Sequence, residues 1–277
     1  MEIGKYNTLH IIRKVDFGVY LSDGNEGEVL MPQKYVSKDA QIGDAVEVFV
    51  YTDSEDRLVA TTEKPFAQVG MFAYLRAVGV SQHGAFLDWG LVKDLFVPFS
   101  EQNMKMREGA GYVVYILLDE KTNRIIASAK IDRYVDTSFP EYEFGEEVDL
   151  LIWQKTDLGF KAIINHRHVG TIYENEVFAR LYVGEETKGY IKKVREDGKI
   201  DLYLHKPGHT KLKDNSDIVF EKLQDHGGFI ATTDKSPAEE IYNIYGLSKK
   251  NYKKAVGDLY KSRKIAIEDN GIRVIAG

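Results

Sequence analysis

Phe17-Gly18-Val19-Tyr20-Leu21, His83-Gly84-Ala85-Phe86-Leu87 and Leu158-Gly159-Phe160-Lys161-Ala162 are three versions of one phrase. The glycine in each belongs to a fixed series. Gly4, Gly18 and Gly43 are separated by 14 and 25 residues, and the same two steps recur in Gly70, Gly84, Gly109 and in Gly145, Gly159, Gly184. Two intervals repeated three times indicate three tandem copies of a unit of about 65 residues, and such internal repetition decides the fold before any local reading. Neighbouring features keep the same register. Copies one and two each carry a proline, Pro32 and Pro98, behind the apolar runs Val29-Leu30-Met31 and Leu95-Phe96-Val97. After the third glycine come Val46-Glu47-Val48-Phe49-Val50 and Tyr112-Val113-Val114-Tyr115-Ile116, with Gly189-Tyr190-Ile191 near the matching place in copy three. A turn, a basic residue (Arg57, Arg124, Lys199) and a last apolar run close each unit.

Each unit reads as about five short strands, because alternating β-branched and aromatic residues are separated by turns such as Ser22-Asp23-Gly24-Asn25. Five strands in so short a span suit a small closed barrel. A glycine within a strand permits the coiling that closure needs.

The phrase around the second glycine resembles the aromatic-Gly-Ala-Phe-Val signature of the ribosomal protein S1 RNA-binding repeat, an OB-fold. The resemblance implies that the two aromatics lie on an open face and stack on bases, helped by a residue of the third strand. Copy two holds the fullest set, His83, Phe86 and Phe96, with Arg76 on its first strand. Copy one has Leu30 at the third-strand position. Copy three has Leu158 and Lys161 at the aromatic positions, with Phe160, Tyr173 and Tyr190 nearby as stacking candidates.

From about residue 214 the hydrophobic period changes. Asp217 to Gln224 reads as a short helix. Ser236-Pro237-Ala238-Glu239-Glu240 opens another with a capping serine and proline at its first position. That helix runs to Tyr245 and stops at Gly246. Ser248 caps a third helix from Lys249 to about Ser262, and Asn270-Gly271 marks a tight hairpin between two apolar runs. Three helices and a hairpin make a winged helix. Lys249, Lys250, Lys253 and Lys254 line one side of the third helix, while Tyr252, Val256, Leu259 and Tyr260 are expected in its core. Like charges on one helix repel, so a lysine run with so little compensating acid suggests an anion partner.

The expected fold is therefore mostly β with a C-terminal α/β module: S1-like OB barrels over 1–65, 66–134 and a divergent 142–208, then a winged helix over 214–277. The third boundary falls in Gly208-His209-Thr210-Lys211. Three S1-like units followed by Ser236-Pro237-Ala238-Glu239-Glu240-Ile241-Tyr242 and Leu247-Ser248-Lys249-Lys250-Asn251-Tyr252 resemble the bacterial conserved virulence factor B family. That family is built of S1-type RNA-binding repeats with a C-terminal winged helix.

Composition bounds the function. With no Cys there is no disulfide or thiolate metal site. Met1-Glu2-Ile3-Gly4-Lys5 lacks the basic end and apolar stretch of a signal peptide, and no apolar run approaches a membrane span. A cytoplasmic monomer without membrane partner, metal or cofactor is expected. No phosphate-binding glycine loop or serine elbow is present. His166 and His168 share a strand face on this reading, but two histidines do not make a zinc site. No enzyme activity is expected. The net charge of −6 argues against a generic polyanion binder, but its distribution is uneven. Residues 1–65 hold seven basic and twelve acidic residues, whereas Lys192, Lys193, Arg195 and the four helix lysines cluster late. Since phosphate neutralisation supplies much of nucleic-acid affinity, most RNA affinity is expected in copy three and the winged helix. The reading is a single-stranded RNA-binding protein and post-transcriptional regulator. The alternatives are a winged-helix DNA-binding regulator and a non-catalytic protein-interaction scaffold.

Overall fold

The computed structural model describes residues 1–25, 27–177, 180–206 and 215–275. The first barrel is built from β1 (Tyr6–Val15), β2 (Gly18–Ser22), β3 (Val29–Pro32), β4 (Ala45–Thr52) and β5 (Leu58–Thr61). The second uses β6 (Phe72–Val80), β7 (Gly84–Asp88), β8 (Leu95–Pro98), β9 (Gly111–Asp119) and β10 (Arg124–Ser128). The third uses β11 (Glu147–Thr156), β12 (Gly159–Ile164), β13 (His168–Tyr173), β14 (Glu186–Val194) and β15 (Ile200–Tyr203). In each, strands one, two, three, five and four follow one another around a closed sheet, and strands three and five run parallel. Each first strand carries a bulge at the same place, between Ile11 and Arg13, Ala77 and Gly79, and Ile152 and Gln154. The bulge bends the long strand so that it pairs with neighbours on both sides of the barrel.

The repeated glycine at the start of each second strand has a steric cause. A Cβ on Gly18, Gly84 or Gly159 would lie 2.2, 2.2 and 2.1 Å from the carbonyl oxygens of Met31, Val97 and Ile172. The third strand passes too close for any side chain.

Barrels one and two share a core. Phe49 of β4 packs edge-on against Trp89, with ring centres 5.7 Å apart. Barrels two and three meet through buried Phe72, Val113, Ile131, Leu151 and Ile163. At that seam the backbone N–H of Phe72 donates to Nδ1 of His166 at 3.1 Å. His166 lies in the turn before β13 with φ 53°, so it does not share a strand face with His168 as its spacing suggests. His168 is buried in the third barrel, its Nδ1 2.9 Å from the Tyr142 hydroxyl. Burial depresses the pKa of both histidines, against the pull of Glu186 and Asp149 on His166 and of Asp136 on His168. Both are therefore held neutral in the fold, and below the ordinary value of 6.5 the unfolded chain binds more protons. The contribution of these two histidines to stability is full above that pH and is lost as pH drops through their folded values. His166→Asn, which keeps an acceptor and tolerates positive φ, is expected to shallow the acid loss in thermal unfolding curves. An unchanged pH profile would exclude His166 as a contributor.

The C-terminal domain contains α1 (Asn215–Asp225), β16 (Phe229–Ile230), α2 (Ala238–Tyr245), α3 (Lys249–Lys261), β17 (Ile265–Glu268) and β18 (Gly271–Val274). The expected boundary at Gly208–Lys211 lies outside the described residues. Its core gathers Val219, Leu223, Ile241, Tyr252, Val256, Leu259, Ile265 and Ile272. The buried Thr232 hydroxyl joins the Tyr245 and Tyr252 hydroxyls at 2.7 and 3.0 Å. The hairpin turns at Asp269-Asn270, one residue before the expected Asn270-Gly271, and the two-residue β16 adds a third strand that no alternating pattern announces. Ser248 caps α3 by accepting from the Asn251 N–H at 3.2 Å. Ser236 does not cap α2. The cap is Pro237, and the Ser236 hydroxyl instead accepts from the Thr233 N–H. Among the described residues, no helix is long and apolar enough to cross a membrane.

Candidate nucleic-acid interface

On the second barrel, β7 sends Ala85 and Leu87 inward and Phe86 outward. Its register sets Phe86 opposite Phe96 of β8, with ring centres 5.2 Å apart and planes inclined by 42°. Both rings are half-buried. They line a pocket of about 400 Å³ with His83, Ser81, Asp94 and Ile126. His83 is exposed, 3.1 Å from the Gln82 amide. Arg76 is exposed at the other end of the ladder, opposite Asp88, and donates to the Gly109 carbonyl. It does not join the His83 end of the face.

Two cations outside the sequence-based site candidates complete the pocket: Lys93 from the β7–β8 loop and Arg124 from β10, the latter being the basic residue that recurs in each repeat. Ser54 and Asp56 reach it from the β4–β5 turn of the first barrel. Lys93 donates to the Asp53 carbonyl at 2.7 Å and lies 3.8 Å from the Asp56 carboxylate, which also pairs with Arg124. Burial pushes the Lys93 pKa down, and Asp56 pulls it back up. The pocket thus offers an aromatic floor of two tilted rings with cations at one rim, groups that can meet a base and its phosphate.

The third barrel places its candidate residues differently from the second. Phe160 is 7% exposed and belongs to the barrel core, so its faces are closed to a base. The outward position is taken by Lys161, opposite Thr171, with its ammonium 5.1 Å from the Trp153 ring centre. Its cations are largely paired. Lys192 holds Glu176 at 2.6 Å, Arg195 holds Asp201 at 2.9 Å and donates to the Tyr173 hydroxyl, and Lys188 holds Asp149 at 2.6 Å. Tyr173 is thereby fastened beneath Arg195, and the Tyr190 hydroxyl donates to Glu147 at 3.0 Å. Lys193 is exposed. The first barrel keeps a smaller version of the face. Phe17 is 59% exposed, and Arg13 lies over the Tyr20 ring at 3.9 Å while paired with Glu28.

On α3, Lys250 and Lys254 are exposed, Lys253 is 3.7 Å from Asp234, and Lys249 donates to the Lys235 carbonyl at 3.4 Å. Tyr260, expected in the core, is 56% exposed, because the helix turns Leu259 inward instead.

These arrangements define a class: tandem OB barrels of the S1 type that end in a winged helix, both of them nucleic-acid-binding modules. A family model described as "S1 domain" matches residues 3–63, and one described as "CvfB-like winged helix domain" matches residues 205–274. The resemblance to the conserved virulence factor B family holds over nearly the whole chain. Conserved virulence factor B of Staphylococcus epidermidis is 23% identical, over 98% of this chain and 94% of that protein. An uncharacterized protein of Bacillus subtilis, YitL, is 27% identical, over 98% and 93%. A crystal structure from Streptococcus pneumoniae, titled a multidomain protein with nucleic acid binding domains, aligns over 99% of this chain and 98% of its own at 23% identity, with a TM-score of 0.43.

Proposed function

We propose that the chain is a single-stranded RNA-binding protein that regulates gene expression after transcription, and that its main base-stacking site is the Phe86–Phe96 face of the second barrel. The observation that supports this is the convergence of His83, Phe86, Phe96, Lys93 and Arg124 on one pocket. An OB face of this kind takes single strands because unpaired bases expose their flat sides, whereas duplex bases are stacked on each other. The C-terminal half, expected to dominate from its charge, is assigned a supporting role. Lys192 and Arg195 are hydrogen-bonded to acids of their own barrel, whereas Lys253 stands 3.7 Å from Asp234 in an exposed pair, so Lys193, Lys250, Lys253 and Lys254 are the exposed phosphate contacts. Fluorescence anisotropy with matched single-stranded RNA, single-stranded DNA and duplex DNA tests the reading. Preference for the RNA strand, weakened by His83→Ala, is expected. Tightest binding to the duplex, lost on neutralising Lys250 and Lys254, would favour a DNA-reading winged helix instead.

A further inference from the structure

The β4–β5 turn of the first barrel is built to present one carboxylate to the second. The Asp53 side chain accepts from the N–H groups of Glu55 and Arg57 and from Nε of Arg57, at 2.9–3.0 Å, which closes the turn. Asp56 then adopts left-handed backbone, φ 60°, a conformation that a short polar side chain tolerates. Its carboxylate is directed across the barrel junction to Lys93 and Arg124. These are the two cations lining the pocket of Phe86 and Phe96.

We propose that Lys93 and Arg124 form a phosphate site at the rim of this pocket, and that Asp56 occupies it as an internal substitute until a nucleic-acid strand displaces it. The proposal rests on the stacking role given above to Phe86 and Phe96. A base lying on those rings brings its own phosphate to the rim, where a carboxylate and a phosphate compete for the same donors. Lys93 spends one donor on the Asp53 carbonyl and keeps others, and a guanidinium has five. Either anion can therefore be held. The exchange is accessible, since Arg124 and Asp56 side chains are 55% and 45% exposed and such pairs bind weakly. The first barrel, with its excess of acidic residues, thereby sets the affinity of its neighbour.

The test uses the full chain, a fluorescein-labelled oligouridylate and anisotropy over a range of salt concentrations. Asp56→Asn preserves the tolerated backbone and removes the competing charge. It is expected to tighten binding about fivefold, with the salt slope unchanged because the same phosphates are neutralised once Asp56 has been displaced. Glu55→Gln makes the same charge change on the same turn, but Glu55 faces Arg57 at 2.8 Å and is expected to leave affinity unchanged. Adding Lys93→Ala and Arg124→Ala to Asp56→Asn should abolish the tighter binding. Unchanged or weaker binding by Asp56→Asn, or an equal tightening by Glu55→Gln, overturns the proposal. Phe86→Ala separates the two readings. If it costs affinity while Asp56→Asn changes nothing, only the phosphate site falls. If Asp56→Asn tightens binding while Phe86→Ala costs nothing, the phosphate site stands and the stacking role falls.

Discussion

Replacing Phe86 and Phe96 together with alanine is expected to weaken single-stranded RNA binding by about thirtyfold or more. Stacking on an aromatic side chain is worth ~1–3 kcal/mol per base. The two rings form one tilted platform, 5.2 Å between centres, so their joint removal is set near the lower part of the summed range, about 2 kcal/mol. The loss belongs to binding and not to folding. Both side chains point away from the barrel interior, which is filled by Ala85, Leu87, Leu95 and Val97. The variant should therefore unfold close to the wild-type midpoint while its titration curve shifts. A variant that loses its cooperative transition would show that the rings act as core. A folded variant with unchanged affinity would show that bases bind elsewhere.

Phe72→Ala is expected to destabilise the protein by about 3–5 kcal/mol, the range for deleting a large buried ring. Phe72 is 1% exposed and sits at the seam of the second and third barrels. Its ring lies 4.8 Å from that of Tyr115, among Val113, Ile131, Leu151 and Ile163. Its N–H donates to His166, so the side chain also places the backbone that joins the barrels. Denaturant titration measures the loss, and proteolysis between β10 and β11 reports whether the barrels separate first. A cost below about 1 kcal/mol would mean that the seam relaxes around the cavity and that hydrogen bonding, not this ring, holds the barrels together.

The repeat architecture is legible in the sequence because its cause is steric and local. Gly18, Gly84 and Gly159 are dictated by a carbonyl about 2.1–2.2 Å from where a Cβ would be, so their spacing survives the divergence of everything else. The pairing of Phe86 with Phe96 is legible for a related reason, since Phe86 lies two residues after the marked Gly84 and Phe96 two residues before the repeated Pro98 that pairs with that glycine. Parity also explains why Phe160 misleads. It is an aromatic beside the marked glycine, but it precedes Lys161, which holds the outward position matching Phe86. Charge is harder to place. Lys192 and Arg195 read as a basic cluster because their partners, Glu176 and Asp201, come from other strands or turns. Arg124 does carry a signal, being the basic residue that recurs at or immediately before the start of each last strand. Its site is invisible in the sequence, because it depends on Asp56 from another barrel. The short β16 escapes a sequence reading because two residues show no alternation.

The central claim, that single-stranded RNA lies on the second barrel, is tested most directly by mapping ultraviolet crosslinks from a 4-thiouridine oligoribonucleotide to the full chain by mass spectrometry. Crosslinks to the peptides bearing His83, Phe86 and Phe96 are predicted, with weaker ones near Lys193 and Lys250. Crosslinks confined to the third barrel and the winged helix, with none on β7 or β8, would contradict it.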